Sequence, residues 1–168
     1  MMNEVETHSK PPRGELQSDP RMVTGVGTGI GSCLIASADR SRREMIALAA
    51  NDAGWETIVC HDEASAMAAV QRLRFQMAWV DLESPQTSSG FRELCRSIAA
   101  LPHVLQVVCG NVEDAKEEIW ARQLGVWLYL PGVSLEHAGE LAMLCEQAQL
   151  VAGMAQAKDT SFPSKPLA

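Results

Sequence analysis

Five short apolar runs, each followed by a stretch of helical periodicity, recur at a steady interval through the middle of the chain. This alternation limits the fold more than any other feature. Cys33–Ala36, Glu56–Cys60, Met77–Val80, Val104–Val108 and Val126–Leu130 read as short buried strands, because near-continuous apolar runs of this length suit strands covered on both faces. Between and after them, Arg42–Ala53, Glu63–Leu73, Gly90–Ala100, Asp114–Leu124 and Leu135–Ala152 read as amphipathic helices, with apolar residues recurring at helical spacing. In the fourth, Ala115, Ile119 and Leu124 are expected to face the core. Ser41, Asp62, Ser89 and Ser134 stand where N-caps belong, and Gly54 and Gly125 where left-handed C-caps belong. Strict βα alternation predicts a parallel sheet with helices on both faces, and right-handed crossovers reduce the choices to an open doubly wound α/β sheet.

Composition sets the boundaries of that fold and excludes several functions. Of the 168 residues, 14 are Lys or Arg and 21 are Asp or Glu, giving a formal net charge of -7. With no basic run longer than Arg42-Arg43, a nucleic-acid partner is not expected, since such affinity rests on clustered positive charge. Cys33, Cys60, Cys95, Cys109 and Cys145 include no CxxC pair and no neighbouring His cluster, so neither a disulfide framework nor a zinc site is indicated and a reducing cytoplasm fits. No apolar run has the length of a membrane helix, and the polar start has no secretory pattern. Residues 1–31, with Pro11, Pro12, Pro20 and several glycines, read as a flexible tail, as do residues 154–168, leaving a domain at 32–153.

In doubly wound sheets the functional crevice lies beyond the carboxyl ends of the strands. Ser37, Ala38, Asp39, the loop Asp81–Ser89, Cys109–Asn111 and Leu130–Gly132 fall there. Asp81 closes the third strand in Met77-Ala-Trp-Val-Asp-Leu82, and Pro85 follows four residues later. Cys33-Leu-Ile-Ala-Ser-Ala-Asp-Arg-Ser-Arg-Arg43 has the form of a first strand turning into a helix. Gly125 precedes Trp127-Leu-Tyr-Leu-Pro131. In these features the chain from Cys33 to Gly153 resembles the receiver domain of bacterial two-component response regulators. The resemblance implies a flavodoxin-like (βα)5 fold with strand order 2-1-3-4-5. It casts Asp81 as the phospho-accepting aspartate and Pro85 as the proline of the family's D-x-x-x-P pattern.

The same comparison marks departures. Receivers hold Mg²⁺ with an acidic pair after strand 1 together with the acceptor aspartate, and here the pair falls on Ser37 and Ala38. Asp39 and Glu83 are the remaining candidate metal ligands beside Asp81, so magnesium affinity is expected to be poor. The family's Ser or Thr after strand 4 falls on Cys109, and its Lys after strand 5 on Leu130, followed by Pro131. Neither replacement brings a good hydroxyl donor or a fixed positive charge. The resemblance therefore implies a pseudo-receiver without enzymatic activity. Its expected partner is a protein, either a histidine kinase or a downstream signalling protein. The alternatives are an active single-domain response regulator, phosphorylated at Asp81 with a rearranged Mg²⁺ site, and a small-molecule or nucleotide binder at the same crevice.

Other features weigh less. Thr24–Gly31 matches the TGxxxGIG turn of short-chain dehydrogenases, but no buried strand precedes it and no Tyr-x-x-x-Lys follows, so a glycine linker is the better reading. Cys109 is expected to be a small buried hydrophobe and not a redox thiol. His61 and His103 are isolated. Receivers use the face built from helix 4, strand 5 and helix 5 for dimerisation and output. Trp120 is the interface candidate there, a homodimer is one use of that face, and Trp127 stands at the family's switch aromatic.

Overall fold

The computed structural model describes residues 31–83 and 88–159. The glycine-rich segment, Pro85 and both extreme termini lie outside the described residues. Five strands and five α-helices alternate as β1 (Ser32–Ala36), α1 (Arg40–Asp52), β2 (Glu56–Cys60), α2 (Glu63–Arg72), β3 (Met77–Asp81), α3 (Ser88–Ala99), β4 (Leu105–Gly110), α4 (Ala115–Leu124), β5 (Leu128–Pro131) and α5 (Ala138–Asp159). All the strand pairs are parallel, in the order β2-β1-β3-β4-β5, as expected. The 2-1-3-4-5 order reverses direction after β1, and the crevice of such a sheet opens at that reversal.

Side chains alternate across the sheet with period two, and each face closes its own core. Leu34, Ala36, Ala78, Val80, Val108 and Tyr129 point to α2, α3 and α4, where Phe91, Leu94, Ile98 and Ala121 meet them. Cys33, Ile35, Met77, Trp79, Val107 and Cys109 point to α1 and α5, meeting Met45, Ile46, Leu141 and Cys145. The central strand β3 is buried along its whole length, whereas the edge strand β2 leaves Glu56 and Val59 exposed. Edge strands have one unpaired side and thinner helix cover, which is why continuous burial holds in the middle and fails at the rim.

Several local expectations need correction. The N-cap of α1 is Asp39, whose side chain accepts the Arg42 backbone N–H, and Ser41 lies inside the helix. Asp at this position satisfies an orphan donor of the first turn and opposes the helix dipole, so it outcompetes a serine two residues later. Asp62 caps α2 as expected, and Gly125 closes α4 in the left-handed conformation with φ 84°. Ser134 caps a 3-10 turn at Leu135–His137, and α5 begins only after that turn and continues past Ala152 to Asp159. On α4, Ala115 and Ile119 are exposed, Ile119 at 56%. The inward positions are Glu117 and Ala121, with Leu124 packed beside them.

This inversion of α4 is measurable. Ile98→Ala, in the buried core, should lower the urea unfolding free energy by about 2–5 kcal/mol. Ile119→Ala should change it by no more than about 0.5 kcal/mol, as exposed substitutions do.

Candidate functional site

Strand register assembles the crevice. Ala36 pairs with Val80 across β1 and β3, which brings Ser37 beside Asp81. Asp81 pairs with Cys109, and Cys109 with Leu130. One row across the carboxyl edge of the sheet therefore reads Ser37, Asp81, Cys109, Leu130, and each of these residues comes from the end of a different strand.

Asp81 is the one carboxylate in that row and is 1% exposed. A carboxylate taken out of water needs compensation for the lost hydration. Three groups supply it. The Ser37 hydroxyl lies 2.6 Å from Oδ2, the Arg42 Nε donates to the same oxygen at 2.9 Å, and the Glu83 backbone N–H donates to Oδ1 at 3.1 Å. The Arg42 guanidinium also donates through Nη1 to the Glu83 carboxylate, so one cation bridges both acids. Burial works against the charge on Arg42, but the nearby Asp81, Glu83 and Asp39 carboxylates outweigh it and hold the guanidinium more firmly protonated than usual.

The three expected metal candidates are thus each engaged with Arg42. Asp39 caps α1 by accepting the Arg42 backbone N–H at 2.7 Å, while Asp81 and Glu83 take its side chain. Among the described residues no three His, Cys, Asp or Glu side chains are grouped so as to share a metal ion. Arg42 was not apparent as a site residue in the sequence, because its partners lie 39 and 41 positions away. The one local hint is an Asp cap three residues before an arginine at the start of α1.

The other named positions fall as follows. Cys109 is wholly buried; burial first, and the Asp81 charge second, push its thiol well above the ordinary range, which suits a small core residue and not a nucleophile. Leu130 and Pro131 line a cavity of about 260 Å³ with Gly132, Val133, His137 and Leu141, between β5 and α5. Trp127 packs on the α1–α5 side of the sheet. The β5 aromatic turned toward α4 is Tyr129, whose hydroxyl donates to Glu117 Oε1 at 3.2 Å.

Glu117 anchors a second polar cluster that the sequence reading missed. Its buried carboxylate accepts the Asn111 N–H at 3.1 Å, and Arg92 Nη2 reaches its Oε2 at 3.0 Å. Burial and the Glu117 charge raise the Tyr129 phenol well above its ordinary value. The cluster needs glycine at 110, since a Cβ there would lie 2.2 Å from the Tyr129 hydroxyl and 2.3 Å from Glu117 Oε1. The visible signal was Glu117, Ala121 and Leu124 at i, i+4 and i+7, an inward stripe that starts with an acid.

No family model matches the chain, and no curated protein matches it by sequence. Many solved structures match its fold. The response regulator receiver domain protein (CheY-like) from Methanospirillum hungatei JF-1 aligns over 77% of this chain and 99% of its own, with 13% identity and a TM-score of 0.63. The receiver domain of NtrX from Brucella abortus aligns over 70% and 97%, with 19% identity and a TM-score of 0.60. NtrX from Brucella abortus in complex with ADP aligns over 82% of this chain but only 31% of its own, with 17% identity and a TM-score of 0.66. The fold is thus the receiver fold. Among the described residues no helix is long and apolar enough to cross a membrane.

Two outcomes test this description. Arg42→Met strands a buried carboxylate and should destabilise the protein by about 2–4 kcal/mol in urea unfolding. That is slightly below the ~3–5 kcal/mol of a fully enclosed pair, because the Arg42 side chain keeps 20% exposure. For the thiols, burial pushes Cys95 and Cys145 up to about 12 from 9.0. The native state then holds these protons more tightly than the unfolded chain, so their stabilisation is full below pH 9 and is lost as pH rises toward 12. Stability measured across that window should fall, and Cys145→Ala should flatten the slope.

Proposed function

We propose that this chain is a receiver-like signalling module of the two-component type that works through contact with another protein and carries out little or no phosphoryl transfer. The observation that carries this reading is the enclosure of Asp81 by Ser37, Arg42 and the Glu83 N–H. Transfer to a carboxylate needs an oxygen free to attack in line, and positive charge arrayed around the incoming phosphoryl group. Here one oxygen of Asp81 already has two donors and the other has one.

The residues do not fit the magnesium ion that the fold family implies. Magnesium demands near-octahedral oxygen ligation, yet Ser37 is neutral, Asp39 is occupied as a helix cap, and the Arg42 guanidinium bridges Asp81 and Glu83. Cys109 and Leu130 supply neither a hydroxyl nor a lysine charge to a phosphoryl group. Support for a signalling role comes from likeness of fold, and the partner proposed is a kinase or a downstream signalling protein.

The test is intact mass after incubation with Mg²⁺ and a small acyl phosphate, alongside Asp81→Asn. Both proteins should keep their starting mass. A phosphoryl adduct on the wild type that is absent from Asp81→Asn would overturn the proposal in favour of an active receiver.

A further inference from the structure

Trp120 was expected on the face shared by α4, β5 and α5, but its indole is turned the other way. The Arg92 guanidinium lies 5.1 Å from the centroid of its ring and the Arg96 guanidinium 5.9 Å. Both arginines belong to α3, spaced so that they share one side of that helix. Trp120 itself is half-buried against the core beneath α3 and α4. Lys116, one turn before Trp120, is exposed, and so is Ile119.

We infer that this α3–α4 face is a docking surface for an acidic peptide segment of a partner protein, one that carries an apolar residue among its carboxylates. This deepens the contact-based reading above and rests on it. Three physical arguments carry it.

The first is preorganisation. Glu117 is buried and grips Arg92 at 3.0 Å, so Arg92 is fixed before any partner arrives, and Trp120 is fixed by stacking with it. Anchors that are already ordered give up less conformational entropy on binding, and Trp and Arg are the side chains that most often dominate contact energetics.

The second is chemistry. A guanidinium stacked on an indole keeps its N–H edge available, and that planar edge matches a carboxylate through paired hydrogen bonds. Arg92 and Arg96 each spend one terminal nitrogen on a glutamate and retain 34% and 53% side-chain exposure, which leaves further N–H donors for a partner's carboxylate. The indole and Ile119 between and beside these cations receive an apolar side chain.

The third is charge. The chain carries a net -7, so an acidic partner is repelled over most of the surface. Here two cations, Arg92 and Arg96, lie over one aromatic ring, and exposed Lys116 stands one turn before that ring on α4. Glu117 lies beneath the arginines, paired and turned inward, and among the described residues Glu93 is the one outward acid paired with them, at 2.8 Å from Arg96. A second copy of the chain would set these cations against themselves in a two-fold contact. A nucleic acid would meet a single small basic island on an acidic body, where its affinity depends on an extended basic track.

The experiment is fluorescence anisotropy with short labelled synthetic peptides, Glu and Asp placed around a single Leu or Phe, against counterparts with Lys in place of the acids and against a single-stranded oligo(dT). The acidic peptides should bind with an affinity that falls as salt is added, and the lysine counterparts should not bind. Trp120→Ala and Arg96→Ala should each weaken binding by about tenfold or more. Arg96 lies outside the buried Glu117 cluster, so Arg96→Ala tests the surface even if Trp120→Ala fails to fold. Acidic peptides that bind no tighter than the lysine series, binding insensitive to Arg96→Ala, or oligo(dT) binding as tight as the peptides would each overturn the proposal. A phosphoryl adduct on Asp81, by contrast, would overturn the reading on which it rests and leave this result standing, so the two failures are distinguishable.

Discussion

A carboxylate at the end of the central strand, cut off from water, is the constraint around which the crevice is organised. Asp81 cannot be hydrated at 1% exposure, and a buried acid persists only with hydrogen bonds or an opposite charge beside it. Both come from the element that follows β1. Ser37, the first residue after the strand, supplies the hydroxyl; Arg42, in the first turn of α1, supplies the charge. The entry of α1 is fixed by the same set, because the Asp39 cap holds the backbone of the residue whose side chain reaches Asp81. Arg43 adds a bond from its guanidinium to the Ser37 carbonyl at 2.7 Å. The turn between β1 and α1 is therefore pinned at both ends by groups that also serve Asp81, and this ties local chain direction to long-range charge pairing.

The Glu117 cluster repeats the same physics on the other side of the sheet. An acid from one helix is buried against an arginine from the next, with a backbone N–H and a phenol completing its shell. Pairs of this kind are weak contributors to net stability, because desolvation nearly cancels the attraction, but losing one partner is costly. Their effect is to penalise every arrangement in which α1 or α4 shifts away. The two clusters hold the two helices whose positions define the exposed faces of the molecule.

Much of this architecture was legible in the residues, and the reasons differ from element to element. The strands of the middle of the sheet were found to within a residue or two, since burial on both faces leaves an apolar run with little ambiguity. Asp62 and Gly125 declared themselves as caps because their role is local. Asp81 was placed at a strand end by periodicity alone. Arg42 was not legible, because an ion pair across 39 positions leaves no trace in local spacing. Ile119 misled for a physical reason: the eye takes the largest aliphatic residue as the core face. The inward stripe of α4 begins with an acid that is acceptable there only because Arg92, Asn111 and Tyr129 come from three other elements to meet it. Trp120 was read as an interface candidate on the face of α4, β5 and α5, whereas its ring lies against α3, since helical angle says how far a residue lies from the core and not which adjacent helix it leans toward.

The row Ser37, Asp81, Cys109, Leu130 also bears on how charge is balanced in the crevice. A divalent ion compensates several carboxylates that would otherwise repel one another. In this chain the side chain beside Asp81 is a hydroxyl, so one buried carboxylate and one at the rim are to be balanced, and a single guanidinium bridges them. A metal ion exchanges with solvent, and its occupancy depends on concentration. Arg42 is part of the chain, and its charge is in place as soon as α1 packs. The pairing of Asp81 and Glu83 with Arg42 is then made by folding itself. On the contact-based reading proposed above, such a crevice would favour recognition through preorganised contacts over switching between two states.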